Sequence, residues 1–224
     1  MVNMLHLILF DSELETIPEE LWTHPIVKKH AEKRGKKPKN MLLDSSYHHQ
    51  AIRKHFPGQE NRRGRPDIVH VFLLNSLESI LNYENKLRVY VHTRNNVVIK
   101  IKPETKIPKA YHRFIGLMES LFQNSYVPDK ENPLMWIENK DIFSLINEIN
   151  LENVIVMDET GILSKPSEFL KEDTVILIGG FPEGKFLSNV NEYEKRSIYN
   201  QRLMAWTVAN EIIVNYELMY MKLH

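Results

Sequence analysis

The sequence predicts an α/β fold built on a largely parallel sheet. Short runs rich in β-branched and aliphatic residues alternate with longer segments whose apolar residues recur at helical spacing. Two of the short runs, "NVIVMDETG" and "TVILIGGF", end in glycine-bearing stretches, as strands do where a sheet meets a ligand. The 224 residues, 42% hydrophobic and 26% charged, have the composition of a globular chain with a sizeable core.

Along the chain, "LHLILF" reads as a strand and "DSELETIPEEL" as the opening of a helix, with Ser12 as its cap and Glu15 at capping-box distance. "KKHAEKRGKKPKN" reads as a basic, mobile loop, and "MLLDSSYH" as a short strand with its turn. "IVHVFLLNSLESIL" is apolar enough for a buried helix, with Pro66 and Asp67 suited to its first turn. "LRVYVHT", "RNN" and "VVIKI" form a hairpin pattern, and "AYHRFIGLMESLF" returns to helical spacing. The two glycine-bearing strands follow, with "LSNVNEYEKR" as a poor helix after them. "LMAWTVANEIIVNYELMYM" is a long helix, with Met204, Trp206, Met219 and Met221 suited to a domain or dimer core.

The absence of cysteine excludes disulfides, zinc–thiolate sites and a cysteine nucleophile, and suits an intracellular chain. No apolar run approaches the roughly 18 residues of a membrane helix. The opening "MVNMLHLILF" lacks the basic region and cleavage site of a signal peptide. The expectation is therefore a cytoplasmic protein without a membrane partner.

The net charge is zero but segregated. Residues 28–113 carry 20 Lys/Arg against 7 Asp/Glu, residues 1–27 carry five acids and no Lys or Arg, and residues 114–224 carry 9 basic and 17 acidic side chains. Blocks of this kind point to a polyanion partner for the basic segment; a merely solvated basic surface is the plainer alternative.

"VILIGGFPEGKF" poses a specific question. Gly179, Gly184 and Lys185 satisfy the G-x-x-x-x-G-K core of a phosphate loop, but Phe186 stands where a magnesium-binding Ser or Thr belongs. Pro182 also removes a backbone N–H from the cradle. A loop presenting backbone groups to an uncharged heterocycle fits better, with a P-loop NTPase as the weaker reading. "YHHQ" places His48 and His49 side by side, where regular structure points them apart, so surface or RNA-proximal histidines are expected and no metal. Ser45 and Ser46 have no G-x-S-x-G context for a hydrolase.

Four blocks, "GRPDIVHVFLLNSLES", "PETKIPKAYHRFIGLME", "ILIGGFPEGKF" and "SIYNQRLMAW", occur in an order and spacing that resembles the ribosome-biogenesis pseudouridine N1-methyltransferase family, also called nucleolar essential proteins. The resemblance runs from about Asp44 to the C-terminal helix. It implies a SPOUT-type α/β knot, with a C-terminal trefoil knot and a small family-specific insertion or extension. It implies a homodimer that uses S-adenosylmethionine to methylate N1 of a pseudouridine in small-subunit ribosomal RNA, with a role in subunit biogenesis. A non-catalytic, rRNA-binding assembly factor is the alternative. The expected organisation is a single domain over 1–224, with a basic RNA-binding segment at about 28–113 and a cofactor-binding knot at about 155–210.

Residue by residue, the resemblance implies cofactor contacts at Thr160, Gly161, Gly179, Gly180, Gly184, Ile198, Tyr199, Asn200, Gln201, Arg202 and Leu203, with Lys185 incidental. Arg65 matches an RNA-contacting arginine, and Asp67 the acid that holds it; both stand as the catalytic pair, positioning the target base without a dedicated strong base. Lys106, Lys109 and Arg113 match three further RNA-contacting positions. The family often carries arginine at the first two, and lysine there keeps the charge but loses bidentate contact.

Overall fold

A computed structural model describes residues 3–221 of the chain; the first two residues of the opening "MVNMLHLILF" lie outside them. The central strand β1 (Met4–Ser12) lies between β2 (Leu87–Thr93) and β7 (Asp173–Gly179), parallel to both. Beyond β7 come β6 (Val154–Leu163) and β8 (Glu194–Ser197), also parallel. On the other side β2 turns into β3 (Val97–Ile101), and β5 (Met135–Asn139) and β4 (Tyr126–Val127) complete an antiparallel flank. The sheet order is β4-β5-β3-β2-β1-β7-β6-β8. The expected largely parallel sheet is thus mixed, because the hairpin adds three antiparallel pairings to one edge.

Strand alternation sets the two faces of this sheet. Leu5, Leu7 and Leu9 of β1 point to a core shared with α3 (Pro66–Leu77), α5 (Tyr111–Asn124) and α7 (Ala205–Tyr220). Ile8 and Phe10 point the other way, to α6 (Ile142–Ile149) and Val190. Full burial of each such side chain contributes roughly 1.5–3 kcal/mol. Between α3 and β2 lies the short α4 (Ile80–Tyr83).

The N-terminal expectations need correction. Ser12 ends β1 instead of capping a helix, and its hydroxyl donates to Leu9 O. Residues 13–17 run on in extended form, and only a single 3-10 turn follows at Glu19–Leu21. Glu13 and Glu15 are buried against Arg62, Arg63 and Arg94, so tertiary ion pairs override the local capping signal. The basic stretch 28–40 is no mobile loop: its first half belongs to α1 (Pro25–Arg34), with Pro25 in its first turn and Gly35 in the left-handed conformation after its end, and it finishes in a 3-10 turn at Pro38–Asn40. Val27 and Ala31, one turn apart, seat it against Ile17, Leu21 and Met41. The "MLLDSSYH" strand reduces to one bridge, Thr16 to Leu42, and Asp44 then caps α2 (Ser45–His55). The last three residues of the expected poor helix, "EKR", belong with Ser197 to β8, and Gly161 lies inside β6 instead of in a loop.

One buried carboxylate fastens this N-terminal unit to the sheet. Glu119 on α5, 0% exposed, accepts from Arg34 Nη1 at 2.5 Å, Arg34 Nη2 at 2.9 Å, Lys36 Nζ at 2.6 Å and Leu42 N at 3.2 Å. Removing it strands two cations and a backbone N–H. Glu119→Ala is expected to lower the unfolding free energy by about 3–5 kcal/mol, read as a fall in the urea midpoint; a change near zero would show that Arg34 and Lys36 rehydrate freely.

Candidate active site

At the carboxyl ends of β6 and β7 opens a cleft of about 870 Å³, within the range of small-molecule sites. Its walls are residues 157–160, the loop after β7, and the segment from β8 into α7, with Arg65 and Ile68 from the start of α3. Met157, Ile178, Ile198 and Val208 supply apolar surface, while Asp158, Ser188 and Gln201 supply polar groups. Of the residues singled out from sequence, Thr160, Gly179, Gly184, Ile198, Tyr199, Gln201, Arg202, Leu203 and Arg65 line it. Gly180 and Asn200 do not. Gly180 faces β1: its N–H donates to Phe10 O, its carbonyl accepts from Glu13 N, and a Cβ there would fall 2.8 Å from Ser12 Cα. Gly161 is packed against Lys195 and Arg196 of β8. Lys185 lies in the cleft wall, and Gly184 holds φ +96°, a conformation that favours glycine at this turn.

Side chains that the sequence reading did not identify hold the loop. Asp11, buried with φ 50°, accepts from Leu187 N at 2.7 Å, Ser188 N at 2.9 Å and Ser188 Oγ at 2.6 Å. Arg62 donates through Nη1 to Lys185 O at 2.6 Å, and its guanidinium carbon lies 3.9 Å from the centre of the Phe181 ring. Its Nε donates to Glu13 Oε1 at 2.5 Å. Glu13 also accepts from Arg94 Nη1 at 2.6 Å through Oε2, and from Arg65 N at 2.9 Å through its carbonyl. Its own N–H donates to Gly180 O at 3.1 Å. The only sequence signal for this assembly was the pairing of closely spaced acids, Glu13 and Glu15, with the distant "RRGR" run.

Within the cleft wall, burial pushes the Asp158 carboxyl up, but hydrogen bonds from the Thr160 N–H and hydroxyl and from Lys195 outweigh it and hold it below the usual carboxylate range. The carboxylate therefore stays ionised in the cleft wall, paired with Lys195. No group of three or more His, Asp or Glu among the described residues is placed to hold a metal ion.

Beside the cleft, Arg65 and Asp67 form the expected pair, with Nε to Oδ1 at 2.8 Å and Nη2 to Oδ2 at 2.7 Å. Asp67 does not also cap α3, since no side chain caps that helix start. The Asp67 hydrogen bonds raise the Arg65 pKa further, so this guanidinium is a fixed cation. Lys106, Lys109 and Arg113 lie outside the cleft and are exposed. His70 Nε2 donates to Pro108 O at 2.8 Å, which fastens the loop carrying these lysines to α3. Tyr111 donates to Asp44 Oδ2 at 2.7 Å and ties α5 to the cap of α2. The expectation of surface histidines fails for His48, which is fully buried; His49 is exposed.

A family model described as EMG1/NEP1 methyltransferase matches residues 7–217. Curated proteins called ribosomal RNA small subunit methyltransferase Nep1 are similar over nearly the whole chain. That of Thermococcus sibiricus is 54% identical, covering 96% of this chain and 98% of that protein. That of Pyrococcus furiosus is 50% identical, covering 97% and 98%. The crystal structure of Archaeoglobus fulgidus Nep1 bound to S-adenosylhomocysteine superposes with a TM-score of 0.85 at 32% identity, covering 97% of this chain and 98% of that one.

Two measurements probe this architecture. Arg62→Lys keeps a cation for Glu13 but loses the planar contact with Phe181 and the loop carbonyls. It is expected to weaken S-adenosylhomocysteine binding roughly tenfold by calorimetry, and unchanged affinity would remove Arg62 from the loop's support. For His48, burial lowers the pKa from 6.5 to about 4. Above pH 6.5 the neutral His48 costs the fold nothing, and as the pH falls from 6.5 toward 4 the unfolded state gains a proton the native state refuses, which removes roughly 3 kcal/mol of stability. The stability difference between the wild type and His48→Gln, measured in urea, should shrink across that window; a constant difference would count against a buried neutral His48.

Proposed function

The chain belongs to the EMG1/NEP1 methyltransferase family and is an S-adenosylmethionine-dependent methyltransferase of small-subunit ribosomal RNA; within that activity, we propose that the methyl acceptor is N1 of a pseudouridine. The cleft beside the Arg65–Asp67 pair is the observation that carries the reading. Its volume, apolar walls and glycine turns suit an adenosine with a short charged tail, for which the ionised Asp158 and Lys195 in the wall offer both signs of charge. When bound, the cofactor supplies a methyl group on sulfur and leaves as S-adenosylhomocysteine.

Our assignment of cofactor contacts is Thr160, Gly179, Gly184, Ile198, Tyr199, Gln201, Arg202 and Leu203, supported by their place in the cleft wall. Gly180 acts by seating the loop on β1, and Asn200 stands next to the wall. Arg65 orients the target base. Both oxygens of Asp67 are engaged by Arg65, so Asp67 works as a strut. The N1 proton leaves to solvent as the N–C bond forms, and the Arg65 cation stabilises negative charge developing on the ring carbonyls. Much of the rate comes from alignment of donor and acceptor.

Lys106, Lys109 and Arg113 meet the RNA backbone, within a basic RNA-binding segment at about 28–113. The cofactor segment, about 155–210, is the region of a trefoil knot in our reading, and the chain is one domain over 1–224. A homodimer is supported by exposed apolar side chains at Ile162, Leu163, Met204, Val214 and Leu218. A cytoplasmic location accords with a ribosomal RNA substrate, and no described helix is long and apolar enough to cross a membrane.

The test is methyl transfer from labelled S-adenosylmethionine to two hairpins differing only in pseudouridine or uridine at one loop position. Label is expected in the pseudouridine hairpin alone; binding of both without transfer would favour a non-catalytic assembly factor. Asp67→Asn should lower RNA affinity and rate together. Intact affinity with abolished turnover would instead make Asp67 the base.

A further inference from the structure

The "YHH" run at 47–49 is left without a role by the cleft, yet the structure builds a chain of fixed rings from it. The His48 Nδ1 accepts from Asp44 N at 3.1 Å, which leaves the His48 proton on Nε2. That Nε2 lies 2.9 Å from His30 Nδ1, so His48 donates, His30 accepts, and the His30 proton sits on its own Nε2. The His30 ring in turn lies under Tyr47, with centroids 4.3 Å apart and planes 26° from parallel. Tyr47 itself is 56% exposed. A surface tyrosine would ordinarily exchange rotamers freely. Here the His30 ring backs one face, itself oriented by His48 and through it by a backbone N–H, and surface is left open.

The location of this ring matters as much as its support. Ser45 N donates to Gly64 O at 2.9 Å, which places the first turn of α2 against the residue before Arg65. Asp44, three residues before Tyr47, accepts from Tyr111, the first residue of α5, whose neighbours Lys109 and Arg113 are exposed cations. Of the acids near this corner, Asp67 is paired with Arg65 and Glu119 with Arg34 and Lys36, while Asp44 accepts from the neutral Tyr111 hydroxyl and Ser46 N. Lys33 on α1, Lys109 and Arg113 are the exposed cations on this side. An exposed aromatic face flanked by phosphate-binding cations is the arrangement that holds unpaired bases, and every base has a face to stack.

We propose that Tyr47 is a stacking platform for an unpaired base of the substrate RNA next to the target nucleotide, held in orientation by the His30–His48 pair. The base would lie on the ring while Lys109 and Arg113 hold the adjoining phosphates. This rests on the RNA-methyltransferase reading and adds a subsite outside the cofactor cleft.

The experiment measures RNA binding with hairpins made abasic at each loop position in turn, for the wild type, Tyr47→Ala and Tyr47→Phe. One abasic position is expected to weaken the wild type roughly tenfold and to cost Tyr47→Ala nothing further, with Tyr47→Phe behaving as the wild type. Affinity for S-adenosylhomocysteine should not move, because Tyr47 is not in the cleft wall. The platform is overturned if Tyr47→Ala binds the intact hairpin as tightly as the wild type. It is also overturned if the abasic losses simply add, or if the variant changes only the oligomeric state. Methylation of the intact hairpin by the wild type keeps the two readings apart. Its failure counts against the acceptor assignment, whereas success with an indifferent Tyr47→Ala removes the platform alone.

Discussion

The structure depends on one buried acid, Glu13. It is fully excluded from solvent, yet its carboxylate meets Arg62 and Arg94, its carbonyl meets the Arg65 N–H, and its N–H meets Gly180 O. An ionised side chain in such a place is tolerated only when its partners are fixed. That requirement positions the residues around it. Arg62 is held where it can grip the loop after β7, and the backbone at Arg65 is held where its side chain reaches the cleft. The cofactor wall and the RNA-facing arginine are therefore built on the same few atoms.

The ion pairs also reinterpret the charge map. The surplus of Lys and Arg between 28 and 113 overstates the charge offered to RNA, because part of it faces inward. Arg62, Arg63 and Arg94 neutralise Glu13 and Glu15 of the first segment, and Arg34 and Lys36 neutralise Glu119 of the acidic remainder. What stays exposed lies on α1 and the turn after it (Lys28, Lys29, Lys33, Lys37, Lys39), at the end of α2 (Arg53, Lys54) and around the start of α5 (Lys106, Lys109, Arg113). Segregation of charge along the chain therefore does two jobs, cross-linking distant segments and forming an RNA face.

How much of this was legible in the sequence follows from what each element relies on. The inner strands and α3, α5 and α7 announce themselves, since their apolar periodicity is also what buries them. The Arg65–Asp67 pair came from the family resemblance, and its two-residue spacing at a helix start is compatible with the contact it makes. The segment from Ser12 to Leu43 was misread because its conformation comes from partners far away. Glu15 is 48 residues from Arg63, and Arg34 is 85 from Glu119. Local signals at Ser12 pointed to a cap, and nothing nearby could reveal the arginines that overrule it. Likewise α1 shows only Val27 and Ala31 to the core, too narrow a stripe to stand out among lysines. Asp11 and Arg62 were missed for the same reason: their work is done on residues more than a hundred positions later.

The position of β1 has a kinetic consequence. Its Met4 pairs with Asp173, and the strand can be fully flanked only after most of the chain has been made. Contacts of such long sequence separation close large loops and slow folding. The cleft walls also need still later residues, up to Val208. A partly made or partly folded chain can therefore present α1, α2 and their lysines before it can hold a methyl donor, and occupancy of the cleft reports completion of the whole fold. Ligand present during folding would stabilise only the finished molecule.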